Sequence, residues 1–335
     1  MIQKYGKEVD FRGLGRNLEF IKAAASQAAE ISLQAVSKGV NLIDICPICK
    51  SGEKVSLIEI NGCQWVRCTS CGQLYVRNIP HDISKIYIEG NEAQKQAYIS
   101  EELFNKRREM ISRPKAGFID SVVMIYQEEK GLWVDLGCGV GELLCEASAL
   151  GWEPLGYDAD PNEVDFAANH GVNVIQAYIN EGLDEQVISN LSKATVVSII
   201  NVIEHVIDPI SWIKQIVSHM RTGSYLVIET PREPSLISLC NLAGLPYKHM
   251  VTAGHYHIFT EESMKIIQQQ CLMELVAKWC FGNGYVDLIY TLLMLSEHKI
   301  DSALIDIVLE NSNSIQCKID EVGLSEVMIL VYKVM

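Results

Sequence analysis

The chain has 335 residues, 48% apolar and 21% charged, with 42 acidic against 28 basic side chains and a formal charge of −14. That balance supplies a large core, excludes a disordered chain and would repel a polyanion over most of the surface, so nucleic acid is not an expected partner. There is no run of 18 apolar residues and no apolar signal core at the start, so the sequence reads as soluble and cytoplasmic, with no membrane partner.

Residues 17–37 carry alanine and apolar residues at helical spacing and stop at Lys38-Gly39, which predicts a helix in an N-terminal arm over 1–40. Next come Cys46-Pro-Ile-Cys49 and Cys68-Thr-Ser-Cys71, two CxxC pairs with 18 residues between them. Eleven cysteines in a long chain read as thiols or metal ligands rather than as a disulfide framework. Each CxxC turn brings two sulfurs to about 2.3 Å from one ion, and two such turns complete a tetrahedron with no open position. Cys46, Cys49, Cys68 and Cys71 are therefore expected to hold a structural zinc; the other reading is four thiols that never meet a metal. Between them, residues 55–60 and 64–67 alternate like two strands around Asn61-Gly62, and Leu74-Tyr75-Val76 closes the unit. Residues 41–78 thus have the outline of a zinc ribbon, with Cys63 a packed thiol outside the ligand pattern.

Asn78-Ile-Pro-His-Asp breaks the pattern, and 91–125 looks largely helical with an interruption at Arg113-Pro114, so 79–125 reads as a helical connector. Phe104-Asn-Lys106-Arg107-Arg108 and Arg113-Pro-Lys115 form the one dense basic patch in this acidic chain. It is either a solvated helix face or a clamp for a phosphorylated or nucleotide-linked acceptor, because guanidinium forks match phosphate oxygens.

From Gly131 onward apolar strands (132–136, 153–158, 172–177, 196–203, 225–229) alternate with helices (141–150, 161–169, 212–220). Such alternation predicts βαβ units and a parallel sheet, an α/β domain over 126–335. Helical segments at 286–295 and 302–309 precede a last strand in the closing EVMILVYKVM. The first strand runs into Asp135-Leu-Gly137-Cys-Gly139-Val-Gly141, a glycine-rich turn opening a helix. The second ends in Gly156-Tyr-Asp158, an acidic residue about twenty positions on, where a ribose hydroxyl needs an acceptor. Nicotinamide and flavin folds share that logic, but Glu142 stands where their third glycine should be.

These residues resemble the first motif, D/E-x-G-x-G-x-G, of the class I S-adenosylmethionine (SAM) methyltransferases. Asn201-Val-Ile-Glu204-His205-Val-Ile-Asp208-Pro209 is similar to the EHV-x-D-P signature of one branch of that family, and His257-Ile-Phe-Thr260-Glu-Glu-Ser-Met to its H-x-F-T-x-x-S segment. The ribbon ahead of them looks like that of the branch's zinc-carrying members. The resemblance covers roughly residues 115–335. It implies a Rossmann-like, doubly wound, mostly parallel seven-stranded sheet with an antiparallel C-terminal strand, and SAM as cofactor. Gly137, Gly139 and Gly141 would let the backbone approach the methionyl part, Asp135 would face its ammonium, Asp158 would take the ribose hydroxyls, and Asn201 would contact the cofactor. Gln176-Ala177-Tyr178 stands where many relatives have an acidic residue near the adenine.

Glu204 and His205 follow the fourth strand, at the sheet edge where ligands of doubly wound folds bind. Relatives that use a divalent metal read E-x-x-E-H here; with Asn201 in the first position, one carboxylate is missing. Three roles stand open for the pair: a metal, a proton relay or substrate contact, or a helix start. His249, His255 and His257 lie in a glycine-flanked loop that resembles the family's active-site lid, and His255 or His257 has the chemistry of a general base. The expected activity is SAM-dependent methylation of a small-molecule acceptor, a sugar or natural-product intermediate. The rivals are an RNA or protein methyltransferase with the ribbon as a reader, and a cofactor-free scaffold.

Overall fold

The computed structural model describes residues 1–9, 14, 18–81, 99–179, 182–242, 244–245, 248–295 and 302–335. Its strands before the connector are β1 (Ile2–Tyr5), β2 (Val40–Leu42), β3 (Lys54–Ile60), β4 (Cys63–Cys68), β5 (Leu74–Val76) and β6 (Asn78–Pro80). After it come β7 (Leu132–Leu136), β8 (Glu153–Asp158), β9 (Val174–Gln176), β10 (Val196–Ile200), β11 (Tyr225–Glu233), β12 (His257–Thr260), β13 (Met273–Phe281) and β14 (Val327–Val334).

The main sheet runs β9-β8-β7-β10-β11-β14-β13, the seven strands expected, with β14 antiparallel between β11 and β13. The fold is α/β, mostly parallel and Rossmann-like. Its strands are buried on both faces, and the pleat sorts their side chains into two cores. Val134, Leu136, Val197, Ile199, Leu226, Ile228 and Leu330 face one side. Trp133, Val196, Tyr225, Val227, Ile329 and Val331 face the other. Strand order reverses between β7 and β10, which opens a crevice at the carboxyl ends of the central strands.

The structure adds to the sequence reading in several places. β13 and the helix Ser312–Glu321 were not expected, nor was β1, which extends the sheet by pairing parallel with β13. Residues 78–80, read as a break, pair as β6 with β2. Of the connector, 91–98 lie outside the described residues; the helix Glu101–Arg107 then runs through a wider turn at Arg108–Ser112 into Arg113–Val123. Pro114 does not end it: the wider turn at Arg108–Ser112 immediately precedes the proline, and the helix continues from Arg113. The hairpin tip is as read: Asn61 and Gly62 both take positive φ, 51° and 80°, as a two-residue turn between β3 and β4 requires. Among the described residues no helix is long and apolar enough to cross a membrane.

Trp279 on β13 closes the outer end of this core. It is fully buried, packs on Phe118 and Phe281, donates through Nε1 to the Gly6 carbonyl at 2.8 Å, and carries the Lys4 ammonium 3.7 Å above its ring. Trp279→Ala is expected to cost about 3–5 kcal/mol, read as a lower urea midpoint at unchanged m.

Candidate active site at the carboxyl edge of the sheet

The glycine turn leaves β7 and winds back over β8. Gly137, Gly139 and Gly141 all have positive φ, and a Cβ on Gly137 would lie 2.6 Å from Val202 Cγ2. Asp158, at the end of β8, locks the turn: its Oδ2 accepts from Gly139 N at 2.7 Å and its Oδ1 from Asp160 N at 3.0 Å. Both glycine and carboxylate thus shape one concave backbone cradle at the crevice. Asp135 is buried just beneath, where Ser198 donates to its Oδ1 at 2.5 Å; burial pushes its carboxyl up to about 7.

Across the crevice Asn201 ends β10 with φ +54°, a strained value for a residue with a side chain. Its N–H donates to the Glu229 carbonyl at 2.9 Å and its Nδ2 to Glu229 Oε1 at 3.3 Å. Glu229 also accepts from Lys115 Nζ at 2.7 Å, while its other oxygen, Oε2, is buried with no hydrogen-bond partner. Sequence reading put Lys115 in the basic patch and passed over Glu229. The signal was there for Glu229, a lone carboxylate closing an apolar strand at the ligand edge of the sheet.

Glu204 and His205 form a short 3-10 turn after β10 and meet His255 from the loop before β12. One donor atom from each of Glu204, His205 and His255 lies within 4.8 Å of the others, so the three could hold a divalent ion. His205 Nδ1 is 2.9 Å from the Gly254 carbonyl. It must therefore carry the proton, which leaves the lone pair on Nε2. Glu204 is fully buried; burial first, and the Glu229 charge with it, push its carboxyl up to about 8. Burial lowers His205 to about 4 and His255 well below the usual histidine range, so both rings are neutral bases near pH 7. His249 stacks on His255 with ring centroids 5.9 Å apart.

Two expectations are corrected here. His257 does not join the cluster: it is 1% exposed on β12, and its Nε2 donates to the Val206 carbonyl at 2.9 Å, so it anchors the strand instead of facing an acceptor. The basic patch is not a phosphate clamp. Arg107 pairs with Glu142, Arg108 and Arg113 with Glu146, Lys115 with Glu229 and Lys106 with Glu102. Four carboxylates thus face its five cations, and the Arg107, Arg108 and Arg113 pairs fasten the connector helix to the helix that the glycine turn opens.

In the ribbon the two knuckles are built alike. Lys50 N donates to the Cys46 carbonyl and Gly72 N to the Cys68 carbonyl, both at 3.0 Å, and Lys50 and Gly72 both take positive φ. The Sγ atoms of Cys46, Cys49, Cys68 and Cys71 lie within 4.8 Å of one another, with Cys46–Cys71 at 3.7 Å and Cys49–Cys68 at 3.4 Å. A tetrahedral ion with 2.3 Å bonds to sulfur would set edges of about 3.8 Å, so the four thiols fit one.

Residues 104–270 match a family model described as a methyltransferase domain. No curated protein matches the chain. Among solved structures, the chain is similar to a SAM-dependent methyltransferase from Archaeoglobus fulgidus, at 20% identity and a TM-score of 0.43, over 69% of this chain and 98% of that one. It is also similar to a SAM-dependent methyltransferase from Clostridium acetobutylicum, at 13% identity and 0.46, over 73% and 99%. A third is magnesium protoporphyrin IX methyltransferase from Synechocystis, at 12% identity and 0.46, over 72% and 94%.

A Cβ at Gly139 would meet only the flexible end of Glu163, at 3.1 Å. The Gly139 φ of +54° strains any side chain, a β-branched one most of all, so Gly139→Val should lower the melting temperature as well as fill the cradle. Calorimetry on the folded variant, below its melting transition, is expected to show SAM binding lost.

Proposed function

We propose that this SAM-dependent methyltransferase methylates a small-molecule acceptor at the crevice between β7 and β10, with His255 and His205 as the groups that take the acceptor's proton. The observation that carries the reading is convergence: the glycine cradle with Asp158 and the Glu204–His205–His255 cluster sit at the same sheet edge, joined through Asn201 and Glu229. The run from Glu204 to Pro209 supports a place in the EHV-x-D-P branch, and the arm, ribbon, connector and catalytic domain are divided near residues 40, 78 and 125.

SAM supplies an electrophilic methyl on a sulfonium. The protein's part is to bind, align and deprotonate. Gly137, Gly139 and Gly141 bring the backbone against the methionyl moiety, Asp135 faces its ammonium, Asp158 exchanges its backbone partners for the ribose hydroxyls, and Asn201 lines the cofactor. The unpartnered Glu229 Oε2 adds negative charge on the same side. Neutral imidazoles at His205 and His255 then accept the proton from a hydroxyl or amine as the new bond forms. Glu204, held protonated, stabilises the turn that carries His205.

The acidic surface argues against an RNA acceptor. A scaffold without cofactor would have no need of three glycines in left-handed conformation at the ligand edge of the sheet.

His255→Ala and His205→Ala are each expected to lower turnover roughly 10²- to 10⁴-fold while SAM affinity stays within twofold, since they touch proton transfer and not the cradle. Full activity in both variants would remove the base assignment; arrest by brief, mild chelation with rescue by magnesium or manganese would move it to an ion on Glu204, His205 and His255. The ribbon gives a separate result. Elemental analysis is expected to find one zinc per chain, falling to none when Cys46 and Cys71 are both replaced by serine.

A further inference from the structure

A narrow cavity of about 10 Å³ lies against His255, where three parts of the molecule meet. The hairpin tip of the ribbon supplies Asn61 and Cys63, the N-terminal helix Leu18–Ser37 supplies Ser32, and the stretch leading to β12 supplies Met250 from the short helix Lys248–Val251 and His255 and Tyr256 from the loop after it. We infer that this cavity is the acceptor's recognition subsite and that it takes one neutral hydroxyl group of the acceptor. The inference rests on the methyltransferase reading above and adds to it the location and chemistry of the acceptor.

Size is the first argument. A space of this volume admits a water-sized group and nothing larger, which suits a hydroxyl and excludes a phosphate. Unmet hydrogen bonding is the second. Tyr256 is 1% exposed and its hydroxyl has no partner, and His255 Nδ1 is likewise buried without one. A buried polar group left unsatisfied is costly, so an occupant that both donates and accepts a hydrogen bond gains most here. Charge is the third argument. No aspartate, glutamate, lysine or arginine lines the cavity. A carboxylate or phosphate entering would lose its hydration with no cation to meet it. Ile60, Met250 and Pro80 form the apolar remainder of the wall.

Position completes the case. His255 belongs both to the cavity wall and to the cluster with Glu204 and His205, so a group held in the cavity places the next atoms of its skeleton beside the proposed base. The ribbon then has a direct part in selecting the acceptor, through Asn61 and Cys63. The acceptor class is a neutral alcohol-bearing molecule.

The test uses the full chain with methyl-¹³C methionine, reading the Met250 resonance, assigned by Met250→Leu, during titration with benzyl alcohol, toluene and benzyl phosphate. Saturable shifts with benzyl alcohol are expected, with at least fivefold weaker responses to toluene and to benzyl phosphate. Tyr256→Phe should weaken benzyl alcohol about fivefold to tenfold while SAM affinity stays unchanged, and Cys63→Phe should abolish it. If Cys63→Phe also loses SAM binding, it has misfolded and the Tyr256→Phe comparison decides. Equal or stronger binding of toluene or benzyl phosphate, no response to benzyl alcohol, or an unchanged affinity in Tyr256→Phe would overturn the subsite. Failure of the wild-type chain to bind SAM at all would overturn the methyltransferase reading instead.

Discussion

Everything in this molecule is hung on one strand. β11 is buried at all nine of its positions and is shared by two parts of the structure. Residues from Tyr225 to Pro231 pair with β14, and those from Tyr225 to Glu229 pair with β10 on the other side, so this stretch is the centre of the main sheet. Its last two residues, Arg232 and Glu233, run on past that sheet and pair with β12, which in turn pairs with β5 of the ribbon. The ribbon is thus joined to the catalytic domain by backbone hydrogen bonds, not by a flexible linker. Side chains fasten the same joint: Arg67 meets Glu233 at 2.9 Å, and Thr260 Oγ1 donates to the Cys71 carbonyl at 2.8 Å.

The second constraint is electrostatic. Asp135, Asp158, Glu204 and Glu229 come from four different strand ends and turns and gather at one edge of the sheet. Carboxylates so placed are costly: burial first, and neighbouring carboxylates with it, raise Asp135 to about 7 and Glu204 to about 8. Backbone N–H groups relieve Asp158 and Lys115 relieves Glu229, but Glu229 Oε2 and Glu204 Oε1 have no partner. A site with this surplus of acceptor oxygens suits a ligand that brings hydrogen-bond donors or positive charge.

How much of this could be read from the sequence follows from how local each signal is. The glycine turn, Asp158, the CxxC knuckles and the Asn61-Gly62 tip are set by a few adjacent residues with special backbone needs, and the structure has them where the sequence places them. β13 was missed because its alternation is interrupted by a bulge between Leu275 and Ala277. β1 and β6 were missed because each has only three or four residues and gains its pairing from distant partners. The basic patch misled for a related reason: Glu142 and Glu146, which pair with its arginines, lie more than thirty positions away along the chain. Charge counting along a sequence sees density, and pairing across a fold decides what that density does.

The same limit explains the two histidines of Gly254-His255-Tyr256-His257. In sequence they are equivalent; in the fold they are divided by the start of β12. Tyr256 stands between them, its N–H donating to the Glu204 carbonyl at 2.8 Å and its carbonyl accepting from Val76 N at 2.9 Å. Those two bonds tie the turn after β10 directly to the last strand of the ribbon. His257, inside the strand, is consumed in holding the Val206 carbonyl, while His255, outside it, is free to lean toward Glu204 and His205. A ribbon that fixes β5 therefore fixes β12, and a fixed β12 determines which histidine is presented. The knuckle sulfurs lie far from the cradle in the chain, yet through β5 and β12 they are coupled to the position of His255.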